Sequence, residues 1–311
     1  MLKKSATTWA AASVGAIALL LFLLPNPKPE GSTGTAPVTP PPVTAAVEAA
    51  PPPVTRPETS PLTASRGETL TPHRGLYVMR LGSARASSGL AAAEGRMIYS
   101  FSRACDGWIA DSQSVMTYRY SEGHNLETSW NFSTWESYDG LTFRFNLRQM
   151  RNGEVIEIIE GKATLDRLGG KGTASLVQPE EVTFDLPEGT MFPTSHAIEL
   201  LADAKAGKKG FLRFLFDGAS LDGPYEVNAI VGAPLSVEDT AAGAAAQLEA
   251  KQGWPVAFAY FPVGSPDSRP TFEMLVHYRE DGVAPKIVQD FGDFSLIGSL
   301  EKVESLPKPD C

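Results

Sequence analysis

The sequence predicts a mainly β protein: a long antiparallel sheet that curls or closes into an open barrel around one α-helix. Three observations carry this. From residue 76 onward apolar residues recur with period two, Asp-Gly and Asn-Gly dipeptides punctuate the alternation, and only one segment of the folded part has a convincing helical pattern. The tally is about eleven to fourteen strand-like runs against one or two helices, and an open sheet that long curls or closes on itself.

The chain opens with Lys3 and Lys4 ahead of an uncharged apolar run from Trp9 to Leu24, which is the anatomy of a secretory signal. At 16 residues the run is shorter than the roughly 20 that span a bilayer comfortably. Residues 1–25 are therefore read as a signal peptide or an N-terminal membrane anchor, and the sequence leaves open which. Residues 26–70 are dominated by Pro, Ala, Thr and Val. Proline fixes φ and removes backbone donors, so this stretch reads as a disordered linker that cannot build a core. The folded part is expected over 71–311.

Within it, "GLYVMRLGSA" sets Leu76, Val78 and Arg80 against Tyr77, Met79 and Leu81, and "WIADSQSVMTYRY" places Trp108, Ala110, Ser112 and Ser114 on one face. Asp139-Gly140 and Asn152-Gly153 each join two strand-like runs, the strongest short-range hairpin signal. Phe143, Phe145 and Leu147 alternate with Arg144, Asn146 and Arg148, so one face is buried and the other wet. The one helix begins within "EGTMFPTSH": Thr194 or Ser195 can cap it, Ile198, Leu201 and Ala202 share a face, and Gly207 stops it. Strands then resume to the C-terminus, interrupted by an Ala-rich insertion at 233–252. That insertion reads as a surface helix starting at Ser236 or as a mobile loop.

A net charge of −9, with no basic cluster beyond Lys208-Lys209, excludes nucleic acid as a partner. His73, His124, His196 and His277 are scattered without ligand spacing, and His196-x-x-Glu199 reads as a solvated helix face rather than a metal site. Asp217, Asp222 and Asp281 each precede glycine and read as turn residues. There is no nucleophile elbow and no phosphate loop, so neither an enzyme nor a cofactor is expected. Trp130, Trp135, Phe143, Phe145, Phe211, Phe214, Phe258 and Phe261 are expected mostly to line the inner face as core; an apolar cavity for an acyl chain is the minority reading.

Two cysteines in an exported chain, Cys105 and Cys311, read as one disulfide. It would tie the C-terminal strand to the start of the sheet and, on the chain-entropy model, stabilise by roughly 5 kcal/mol. A redox-active pair, which lacks a C-x-x-C motif, and free or intermolecular thiols are the alternatives.

The segments "PHRGLYVMRL", "AEGRMIYSFSRACDGW", "STWESYDGLTFRF", "LPEGTMFPTSHAIELL", "YEVNAIVG" and "QDFGDFSLIGSLEKVESLPKPDC" occur in the order and spacing of one family. Over residues 71–311 the chain resembles the periplasmic cell-envelope integrity protein EipB family. The resemblance implies a β-spiral similar in shape to the LolA and LolB lipoprotein carriers, a disulfide between Cys105 and Cys311, and a non-enzymatic role in envelope homeostasis. It also implies a periplasmic tetratricopeptide-repeat partner; a lipid or lipoprotein cargo on the concave face is the competing expectation. The location implied is the Gram-negative periplasm, free or tethered to the inner membrane. The Pro/Thr/Ala linker and the insertion at 233–252 depart from the family pattern.

Overall fold

A computed structural model describes residues 70–241, 244–245, 248–266 and 269–311. The signal or anchor expected at 1–25 and the linker up to residue 69 lie outside the described residues, as do positions 242–243 and 246–247 of the insertion. The first half of the chain gives β1 (His73–Ala84), β2 (Leu90–Arg103), β3 (Gly107–Tyr120), β4 (Asn125–Ser137), β5 (Thr142–Arg151), β6 (Glu154–Leu165), β7 (Gly172–Gln178) and β8 (Val182–Leu186). After β9 (Thr190–Met191) and the helix α1 (Pro193–Lys205) come β10 (Gly210–Leu215) and β11 (Tyr225–Val231). A four-residue helix α2 (Val237–Thr240) precedes β12 (Gly253–Pro262), β13 (Phe272–Arg279), β14 (Lys286–Asp290) and β15 (Phe294–Ser305).

All fifteen strands belong to one sheet ordered β8-β7-β6-β5-β4-β3-β2-β1-β15-β14-β13-β12-β11-β10-β9. The first and last strands thus meet in the middle of the sheet, where β1 pairs with β15 from His73↔Ser305 to Ala84↔Phe294. The sheet's own ends, β8 and β9, are consecutive in the chain, joined through residues 187–189 but not paired. The result is a nearly closed barrel with one seam. The expected antiparallel meander needs one correction: β9 runs parallel to β10, through Phe214↔Thr190 and Leu215↔Met191. A two-residue strand before a helix leaves no alternation to detect.

Alternation places the core as the pattern requires. Tyr77, Met79, Phe143, Phe145 and Leu147 are buried, Arg144, Asn146 and Arg148 exposed, and a single contiguous cluster of apolar side chains fills the curl. The Asn152-Gly153 turn has φ of 49° and 84°, the two positive values of a type I′ hairpin. In α1 the buried side chains include His196, Ala197, Leu200, Leu201 and Ala204, whereas Ala202, expected on the inner face, is exposed. Gly207, at φ 81°, comes just after the helix as expected. The insertion's helix does start after Ser236, whose Oγ accepts from the Asp239 N–H at 3.1 Å, but it makes only one turn. Buried Arg279 anchors the segment beyond that turn, donating to the carbonyls of Thr240, Ala245 and Glu249 and pairing with Asp281 at 2.9 Å.

A Cβ at Gly153 would meet nothing within 4 Å, so a side chain there costs only backbone strain. Gly153→Val is expected to destabilise by about 1–2 kcal/mol, read as a lower urea midpoint with an unchanged slope.

Candidate functional site

A buried carboxyl, the start of α1 and the cross-link come together at one mouth of the barrel. Here β4 ends, β5 begins, α1 sits across the opening, and the β2–β3 turn holds Cys105. The C-terminal tail leaves β15 with the Leu306 N–H on the Pro72 carbonyl and crosses to that turn. Cys311 and Cys105 are joined there, Cα–Cα 5.7 Å, and no cysteine is free. The cross-link therefore bridges the tail to the β2–β3 turn. It does not reach an end of the sheet, because β1 and β15 lie at its centre.

The turn connects onward. Tyr138 donates its hydroxyl to the Ala104 carbonyl at 2.6 Å and its N–H to the Asp106 carbonyl at 3.2 Å. Two residues before Tyr138, buried Glu136 turns its carboxylate onto the start of α1. It accepts the N–H of Thr194 at 2.6 Å, the N–H of Ser195 at 2.8 Å and the Ser195 hydroxyl. The expectation that Thr194 or Ser195 caps the helix is corrected. The cap residue is Phe192, which has no side-chain oxygen to give, and the acceptor comes from β4 across the fold.

On the same wall Phe192 stacks at 5.1 Å on Phe143 of β5, the cross-strand neighbour of Glu136. The helix reaches the opposite wall as well: His196 meets Phe211 of β10 edge-on at 5.0 Å and lies 6.5 Å from Phe258 of β12. Glu199 pairs with Arg213 of β10, and Lys205 with Glu280 at 2.8 Å. His196 is thus not on a solvated face. It is fully buried, and neither ring nitrogen has a hydrogen-bond partner among the described residues.

Burial drives the electrostatics here. Glu136 is pushed up to about 7 by desolvation, against the opposing pull of its hydrogen bonds from Ser195 and Thr194. His196 is pushed down to about 3 by desolvation, with Arg213 adding to the shift. The two act on stability with opposite sign. An unfolded carboxyl releases its proton near 4.5, so the contribution of Glu136 is full below that pH and is lost as pH rises to about 7. An unfolded imidazole binds a proton near 6.5, so the contribution of His196 is full above that pH and is lost as pH falls towards 3.

The expected aromatic core divides. Trp130, Phe143, Phe145, Phe211 and Phe258 are buried, whereas Trp135, Phe214 and Phe261 lie on the outer side. Tyrosines take inner positions instead: Tyr77, which the alternation set beside Met79, and Tyr99, Tyr118, Tyr225, Tyr260 and Tyr278, which the sequence reading did not single out as core. The hydroxyls of Tyr99, Tyr260, Tyr278, Ser112 and Ser114 have no hydrogen-bond partner among the described residues, so the interior carries polar atoms among its rings. Outside, two grooves stand out. One, of about 670 Å³, is lined by Leu168, Met191, Glu199 and Arg213 near the β8–β9 seam, and another, of about 660 Å³, lies on the outer face of β3–β7.

Cys311→Ser is expected to lower stability under oxidising conditions by up to about 5 kcal/mol and to change nothing once reductant is present, measured by urea unfolding in both. Glu136→Gln should abolish a loss of up to about 3 kcal/mol between pH 4.5 and 7, seen as a flatter urea midpoint over that range. His196→Leu should gain stability over the unsubstituted chain at pH 5 by more than at pH 7.5.

The family model described as EipB-like matches residues 64–307. The cell envelope integrity protein EipB of Brucella abortus (strain 2308) is 32% identical over 238 residues, which cover 76% of this chain and 84% of that protein. A crystal structure of a beta-barrel-like protein from a domain family of unknown function, also from Brucella abortus, superposes with a TM-score of 0.69 at 31% identity, covering 76% of this chain and 99% of that one. A barrel opened at one seam, a helix across its mouth and a match spanning most of the sequence lead to one assignment: the chain belongs to the EipB-like family.

Proposed function

We propose that this chain is a non-enzymatic periplasmic protein that supports cell-envelope integrity by holding a protein partner on the outside of its sheet. The envelope role rests on the relative named for it. The observation that carries partner binding is the first half of β6. β7 pairs only with Glu160–Leu165, so the backbone edge over 154–159 has no strand neighbour on that side among the described residues. On that stretch Val155, Ile156 and Ile158 are 43%, 42% and 38% exposed, and Val177 of β7 beside it is 53% exposed. Contiguous β-branched side chains at an open strand edge are an aggregation hazard unless something covers them. A tetratricopeptide-repeat protein, the partner implied by the family resemblance, offers a concave helical surface for such a patch.

The carrier alternative is the weaker reading. An acyl chain in the interior would leave the hydroxyls of Tyr99, Tyr260, Tyr278, Ser112 and Ser114 facing hydrocarbon, at about 1–3 kcal/mol for each unsatisfied group.

Ile156→Asp combined with Ile158→Asp should leave the melting temperature within a degree or two and abolish crosslinking of a tetratricopeptide-repeat protein in intact envelopes. Cells carrying that double variant should become as detergent-sensitive as cells lacking the protein. Undiminished crosslinking by the variant would overturn the assignment of the surface.

A further inference from the structure

The outer face of β3–β7 carries an arrangement that the partner-binding reading does not use. Strand register sets Ile109, Trp135, Arg144, Lys162 and Ser175 directly opposite one another across five strands, as one transverse row. Arg144 and Lys162, two cations, are therefore immediate cross-strand neighbours, a pairing that destabilises a sheet unless an anion lies between or above them. Among the described residues neither makes an ion pair, in a chain whose net charge is −9. The acids in the next row are already engaged by neutral side chains: Ser133 donates to Asp111, and Asn146 donates to Glu160 at 3.3 Å.

The guanidinium is also held in place. Its carbon lies 4.8 Å from the centre of the Trp135 ring. That ring is fixed in turn by an Nε1–H bond to Asp106 at 3.2 Å and by Gly107, where a Cβ would come within 2.9 Å of the indole. The stacking on Trp135 gives the guanidinium a modest cation–π gain and leaves its N–H donors without a carboxylate, pre-positioned to receive an anion. The groove around it, of about 660 Å³, falls within the roughly 300–1,000 Å³ typical of small-molecule sites. Its remaining walls combine the neutral hydrogen-bonding groups of Ser133, Asn146 and Ser175 with the apolar edges of Ile109 and Val177.

We propose that this groove binds an anionic saccharide, with Arg144 and Lys162 on the carboxylate or phosphate and the neutral groups on the sugar hydroxyls. A bare phosphate would use only the cations. An acidic peptide would bring further charge towards Asp111 and Glu160. The saccharide uses all three kinds of surface.

The test is calorimetric titration of the full chain with trigalacturonate, with the neutral galactose trisaccharide and with a tri-aspartate peptide at matched ionic strength. Saturable binding of trigalacturonate is expected, weakened at least tenfold by Arg144→Gln and by Lys162→Gln, and weakened as salt is raised. Trp135→Phe, which keeps a ring but removes the anchor to Asp106, should weaken binding less than either charge substitution. The neutral trisaccharide should show no heat. All these residues are on the outer surface, so unchanged circular dichroism confirms that each variant folds. No saturable binding of trigalacturonate, or equal affinity after Arg144→Gln with Lys162→Gln, overturns the site. Tri-aspartate binding as tightly as the sugar overturns the ligand class.

Discussion

The structure depends on the ladder between its first and last strands. β1–β8 and β10–β15 are each local meanders, built from neighbours in sequence and able to form early, with β9 added parallel to β10. What turns two curved sheets into one barrel is the β1–β15 pairing, eleven residue pairs whose members are more than two hundred positions apart in the chain. Closing so long a loop carries an entropic cost that the ladder itself must offset. The disulfide lies just beyond the last rungs of this ladder, His73↔Ser305, where an open end would fray. Its placement in the middle of the sheet makes sense on these grounds. The seam between β8 and β9 needs no such bond, because a three-residue connection already keeps its two sides together.

A second set of contacts ties the two walls at the mouth. Glu136 on β4 holds the start of α1, and His196, Glu199 and Lys205 on the same helix reach β10, β12 and the residue after β13. The carboxylate meets the positive end of the helix, an interaction worth up to about 2 kcal/mol when partly buried. Burying it takes back much of that, since its proton is held to about pH 7. Helix α1 therefore sits between two titrating groups of opposite sense. Over the range from 4.5 to 6.5 their slopes oppose.

Much of this was readable in the sequence, because the strand pattern is local. Alternation separated the two faces of β1 and β3 and located the inner face of β5, Asn152-Gly153 marked its hairpin, and Gly207 marked the helix end. The errors came from applying composition where parity should have ruled. Trp130 and Trp135 differ by an odd number of positions within one strand and cannot share a face; the same holds for Phe211 and Phe214, and for Phe258 and Phe261. One member of each pair is buried and the other is not. The signal was present and was overridden by the expectation that aromatics are core. Other features were beyond reach. The helix acceptor, Glu136, lies 58 positions from the N–H of Thr194. The Arg144–Lys162 adjacency exists only through a register containing a bulge, and no single segment shows it.

The distribution of unsatisfied chemistry decides where function resides. A folded protein pairs its buried polar groups and neutralises its surface charges where it can. In this barrel the interior hydroxyls are small, uncharged and enclosed by a contiguous core, which suits structural hydration better than cargo. On the outside, by contrast, an apolar strand edge on β6 lies next to an unneutralised cation row that ends on β7, and Val177 borders both. Two dissimilar incomplete surfaces side by side are difficult to justify for stability alone. Neither surface is completed by another part of the fold among the described residues: the β6 edge lacks a second strand neighbour over 154–159, and Arg144 and Lys162 lack a carboxylate.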